Sequence, residues 1–172
     1  MKINPPLPSE YHPLAQGYVQ SVGDSDVIDL LHTQIASYTA LIGSLTTEQL
    51  EFAYAPAKWA VIEVIGHIAD VERVMSYRLL RFSRGDKTVL PGFEENDYVK
   101  NAHFKPEDKD SLLREFEMLR RANLEMISRL TDDQLMLSGM SNGRDWSVRA
   151  LIYVLAGHLK HHMGILVERY KL

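Results

Sequence analysis

Four long stretches of this chain repeat their apolar residues at a helical period, and none alternates them as a strand would. That pattern confines the chain to an all-α fold. The first stretch starts near Ser25, where Ser-Asp-Val-Ile-Asp offers a Ser cap and an early acidic turn, and continues through Leu31, Ile35 and Ile42 to about Leu45. The second runs from about Ala60 to Phe82 or Arg84, with Gly85 placed to end it. The third begins near Pro106, a residue suited to a first helical turn, and reaches Leu130. The fourth opens near Ser147 and runs almost to the C-terminus. Four such helices predict a four-helix bundle forming one domain over residues 1–172. Residues 1–24 are rich in Pro and Gly without a helical period, and read as an extended arm lying over the bundle.

The connection between the second and third helices spans about 20 residues, where compact bundles use about 2–8. A connection that long can cross the full length of a helix and set the third parallel to the second. It can equally fold over one end as a lid. Asp97 and Tyr98 lie in it and are expected near the pocket of the inward histidines on the second and fourth helices.

Histidines on the second and fourth helices carry the chemistry. His158 and His162 form an H-x-x-x-H pair, and residues four apart share a helix face. With His158 at zero and an advance of about 100° per residue, Leu151 falls near 20°, Leu155 near 60° and Ile165 near −20°. His162 falls at about 40°, inside that apolar stripe, and His161 at about −60°, on its flank. On the second helix, Val64, Val71, Val74, Met75 and Phe82 all lie within about 80° of His67. His67, His158 and His162 are therefore inward, and His161 faces solvent or a pocket rim. Three inward histidines are either core residues satisfied by hydrogen bonds or ligands of one metal ion. Two imidazoles from one helix turn and a third from a neighbour would leave coordination positions open, as catalytic metal sites do. Such a set suits zinc, nickel, copper or iron.

Composition narrows the chemistry. The chain has no Cys, so no disulfide, protein thiolate ligand or Cys nucleophile is available, and thiol chemistry would need a thiol from outside. Its net charge is −4 with no basic run or basic aromatic patch, which argues against nucleic acid as a partner. The N-terminal residues lack the apolar core of a secretory signal, and no uninterrupted apolar run approaches a membrane span. Cytoplasm, with no membrane partner, is the expected location.

The segment PAKWAVIEVIGHIADVERVMSYRLLRFSRGDKTVLPGFEENDYV, followed by WSVRALIYVLAGHLKHHMGILVERY, resembles the DinB/YfiT-like superfamily of metalloenzymes. The resemblance implies a four-helix bundle, usually dimeric. It implies a divalent metal, commonly zinc or nickel, on positions that match His67, His158 and His162. It also implies hydrolysis or low-molecular-weight-thiol transfer on a small molecule, with an external thiol as a further cofactor in the second case. Ala60 departs from relatives that have Ser after Lys-Trp, a change that touches the helix cap and not the metal.

Other polar residues have readings of their own. Glu63 and Asp70 flank His67 on one side of its helix. Either could orient a metal-bound imidazole or act as a general base beside metal-bound water. Arg78 returns to the inward arc, where it would form an ion pair or bind an anionic group, the ion pair being expected. Trp59 would staple the start of the second helix, and Arg144–Arg149 would cap and pack the fourth. Two readings follow: a metal-dependent hydrolase or thiol transferase, or a non-enzymatic metal- or ligand-binding dimer of the stress-response kind.

Overall fold

A computed structural model describes residues 2–172. The helices are α1 (Gln16–Val22), α2 (Val27–Gly43), α3 (Thr47–Glu51), α4 (Val61–Ser83), α5 (Glu95–Ala102), α6 (Lys109–Ile127), α7 (Asp132–Met136) and α8 (Val148–Glu168). Strands β1 (Ser138–Ser141) and β2 (Arg144–Ser147) pair antiparallel in a small hairpin before α8. The long helices α2, α4, α6 and α8 are the expected bundle.

Their ends obey local chemistry. Asp26, not Ser25, caps α2, accepting the Ile28 N–H at 2.9 Å. Ser147 caps α8 through the Ala150 N–H at 3.1 Å. Ala60 has no side-chain acceptor for α4, and Glu63 compensates by accepting the Ala60 N–H at 2.7 Å. The N-terminal arm is less extended than its composition suggests. Pro8–Glu10 and Pro13–Ala15 are 3-10 turns, and α1 follows them to pack along α8. Gly157 makes that approach possible, since a Cβ there would stand 2.0 Å from the Tyr18 carbonyl oxygen.

Side-chain contacts fix the helix directions. Arg73 of α4 meets Glu115 of α6, and Ser76 meets Asn123 further along both, so α4 and α6 run parallel. Lys109 reaches the Gly43 carbonyl while Arg120 reaches Gln34, so α2 and α6 are antiparallel. Trp59 and His67 face Tyr170 and His158, which makes α4 and α8 antiparallel. The long connection is thus a crossover running back beside α4 to Phe104, whose ring lies against Gly66. It is not bare loop, because α5 forms within it, and Leu90 bridges to Ser141 of the hairpin.

Helix α8 is long and apolar enough to cross a membrane by length and composition, but 61% of the relevant stretch is buried in the protein. It serves as the central helix, packed on α1, α2 and α4. A polar network crosses the core beside it. Arg120, with no solvent exposure, donates from Nε and Nη2 to the two Glu72 oxygens at 2.9 Å each, and from Nη1 to Gln34 Oε1 at 2.8 Å. It also donates to the Leu155 carbonyl at 3.2 Å, and Gln34 donates to the Ala156 carbonyl at 2.7 Å. Asn123 completes the shell of Glu72 at 2.8 Å. The charges are paired and four of the five Arg120 donors are engaged, the condition under which an ion pair survives burial.

Candidate metal centre

His67 projects from the second turn of α4 toward α8, where His158 and His162 stand one turn apart. All three are buried. The Nε2 atoms of His67 and His158 are 3.1 Å apart, and one donor nitrogen from each of the three histidines lies within 4.8 Å of the others. Two imidazole nitrogens on one zinc-like ion, each about 2.0–2.1 Å from it, can be at most about 4.2 Å apart, so the His67–His158 pair fits as placed and the set, spread over up to 4.8 Å, needs only a small closing shift. Buried His162 Nδ1 has no hydrogen-bond partner, and an orphaned buried nitrogen is unusual unless something else engages the ring.

Electrostatics favour the ligand form. Burial pushes the His67 imidazole down to about 4. Burial, then the neighbouring His67 and His161, push His162 down to about 3. His158 is held well below its ordinary value by burial first, then by His162, His67, His161 and Arg120. The three rings are therefore neutral at pH 7 and carry lone pairs, which is what a cation requires. Aromatic neighbours hold their orientation. The Trp59 ring lies 4.8 Å from His67, and Tyr18 of α1 stands edge-on to His158 at 5.4 Å. A cavity of about 260 Å³ opens beside His162, walled by Tyr54, Lys58, Trp59, Asn96 and Tyr170.

Other residues singled out in the sequence fall elsewhere. His161 is exposed and lines a surface groove with Lys160 and Arg169, outside the cluster. Glu63 is engaged in the α4 cap. The Asp70 carboxyl is pushed up by burial and by Glu115 and drawn down by Arg73, which places it on the α4–α6 seam. Among the described residues neither carboxylate hydrogen-bonds to any of the three histidines, so the expected contact with the imidazoles is not made. Asp97 is exposed on α5. It is the adjacent Asn96 that lines the His162 cavity, while Tyr98 lines a different one. Among the described residues Arg78 has no carboxylate partner, contrary to expectation. Arg144, Asp145 and Trp146 form a hairpin strand where no strand was predicted.

Residues 30–166 match the DinB superfamily. The chain belongs to the DinB superfamily. It is 29% identical over 140 residues, 76% of this chain and 78% of the other, to a protein of Oceanobacillus iheyensis named "putative metal-dependent hydrolase". It is also similar to the solved structure of YfiT from Bacillus subtilis, described as a probable metal-dependent hydrolase with an unusual four-helix bundle topology. That likeness has a TM-score of 0.78 and 19% identity, and covers 94% of this chain and 93% of that one. A DinB-superfamily bundle with parallel α4 and α6 places its histidine-bearing helices, α4 and α8, side by side and antiparallel, and the three imidazoles meet across that seam.

Proposed function

We propose that this DinB-superfamily protein is a metal-dependent hydrolase acting on a small molecule, with one divalent ion held by His67, His158 and His162. The observation that carries the reading is the convergence of three buried, neutral imidazoles from two helices. The names given to the two relatives point the same way. Zinc and nickel suit an all-imidazole set. Such an ion, held by neutral ligands only, would supply an acidic bound water or a captured thiolate as nucleophile.

The chain's own residues do the rest. Trp59 and Tyr18 fix the rings and keep water off their apolar edges. The cavity beside His162 admits a small substrate, and Lys58 and Asn96 offer it a cation and an amide. With Glu63 committed to the helix cap and Asp70 beside Glu115 and Arg73, proton transfer falls to solvent or substrate. Transfer of an external thiol is the second form of the same chemistry, and the thiol would come from outside because the chain has no Cys. A homodimer, read by light scattering at about twice the chain mass, is the expected assembly.

Metal analysis of untagged protein tests the centre. Replacing His67, His158 or His162 with Ala should remove most bound divalent metal while far-UV circular dichroism stays helical. His161→Gln should leave metal affinity within a few-fold. Unchanged stoichiometry in all three Ala variants would rule the site out. A loaded protein that turns over neither ester nor electrophile, with or without added thiol, would favour a binding role.

A further inference from the structure

Away from the histidine cluster, one charged side chain has no explanation in packing. Arg78 lies eleven residues beyond His67 on α4, about 16 Å along the axis. It is 5% exposed, yet no carboxylate lies within ion-pairing reach among the described residues. Its Nη2 donates to the Pro91 carbonyl at 3.1 Å. Its Nη1 meets only the Met75 sulfur at 3.8 Å, a weak acceptor, and no protein oxygen takes Nε. Phe93 lies under the guanidinium at 5.7 Å. Burial lowers its affinity for a proton, as an uncompensated cation requires. The contrast with Arg120 is direct, because that guanidinium pairs with both Glu72 oxygens and also donates to Gln34 and the Leu155 carbonyl.

Arg78 also stands between two cavities. One, of about 240 Å³, lies between α4 and α8 under the N-terminal arm and is walled by Met75, Phe93, Trp146 and Val154, with His12, Tyr18, Glu95 and Asn142 as its polar lining beside Arg78. The other, of about 280 Å³, is walled by Val74, Leu90, Pro91, Phe93 and Tyr98, with Arg73, already paired to Glu115, at its edge. Both are mostly apolar, with this guanidinium shared between them. A buried cation with unused donors at the edge of apolar cavities matches a ligand that brings its own countercharge and an apolar body.

We propose that Arg78 is the anion-binding residue of a second ligand site, separate from the histidine cluster, which takes small apolar carboxylates. The carboxylate accepts from Arg78, and the apolar part lies against Phe93 and Met75 or Trp146. The site does not depend on a metal.

Calorimetry with 3-phenylpropionate and its neutral isostere 3-phenylpropionamide tests it on the intact protein. The carboxylate should bind about tenfold more tightly or better, since a charge-assisted pair replaces a neutral one. Arg78→Met should reduce that preference to within two- to threefold. His67→Ala, which disables the proposed metal centre, should keep it. Equal affinity for the two compounds, or no binding at millimolar concentration, would overturn the proposal without any variant. A preference that survives in Arg78→Met, or is lost in His67→Ala, would also overturn it. The last result would place the carboxylate on the metal instead.

Discussion

Replacing Arg120 with Met should strip the bundle of its central polar tie. In the wild type, Arg120 makes two bonds to Glu72 and one each to Gln34 and the Leu155 carbonyl, with no solvent contact. The Met side chain fills much of the space but leaves the Glu72 carboxylate buried, with only Asn123 donating to its side chain. Removing one partner of a buried pair destabilises by about 3–5 kcal/mol, because the surviving charge is uncompensated. For a domain of this size each kcal/mol lowers Tm by about 2–4 °C, so a fall of roughly 6–20 °C is expected. The Glu72→Leu/Arg120→Met double variant removes both charges. It should be less destabilised than Arg120→Met alone, with a residual loss of about 1–3 kcal/mol from the orphaned Gln34 amide oxygen. Urea unfolding followed by circular dichroism on metal-stripped protein gives the numbers without metal linkage. An Arg120→Met variant within about 1 kcal/mol of wild type, or a double variant showing no coupling, would refute the reasoning.

The Glu10 carboxyl is held down to about 2 from an ordinary 4.5, mainly by Arg149, with help from Ser147 and the Leu7 N–H and opposed by burial. Its contribution is therefore full above pH about 4.5 and lost as pH falls toward 2. Glu10→Gln should cost about 1–2 kcal/mol at pH 7, and its deficit against wild type in urea unfolding should shrink between pH 5 and 3; a deficit independent of pH would exclude the pair as its source. Gly157→Ala would set a methyl 2.0 Å from the Tyr18 carbonyl. It should push α1 off α8, costing about 1–3 kcal/mol and speeding amide exchange across Gln16–Val22; unaltered exchange there would show that α1 has room to shift.

Much of this was legible in the sequence, for a physical reason that also explains what was missed. Helices α2, α4, α6 and α8 each present one strong apolar stripe, and period alone places His67, His158 and His162 within stripes. Short elements carry too few periods to register. Helix α1 has seven residues and α5 eight, so neither shows a stripe of its own. The hairpin did have a signal, since Asn142-Gly143 is a two-residue turn sequence and both residues adopt positive φ. Its strands are only four residues each, too short for alternation to show. Ser25 and Asp26 are both good cap residues, and only the backbone decides between them.

The buried network escaped because a single-face reading of α4 discards it. Measured from His67, Glu72 lies about 140° round the helix, outside the arc facing α8, and so reads as solvated. Helix α4 is covered on two sides, by α6 as well as α8, and the second side is where Glu72 sits. The clue lay on α6, where Arg120 stands four residues from both Phe116 and Leu124, inside an apolar stripe. An Arg in such a stripe needs a buried acceptor, and that requirement points to a carboxylate on a facing helix. Arg78 obeys the same rule and finds no carboxylate. The two arginines therefore separate by their partners: one paired with a carboxylate within the chain ties the helices together, and one left short faces cavities that a ligand could fill.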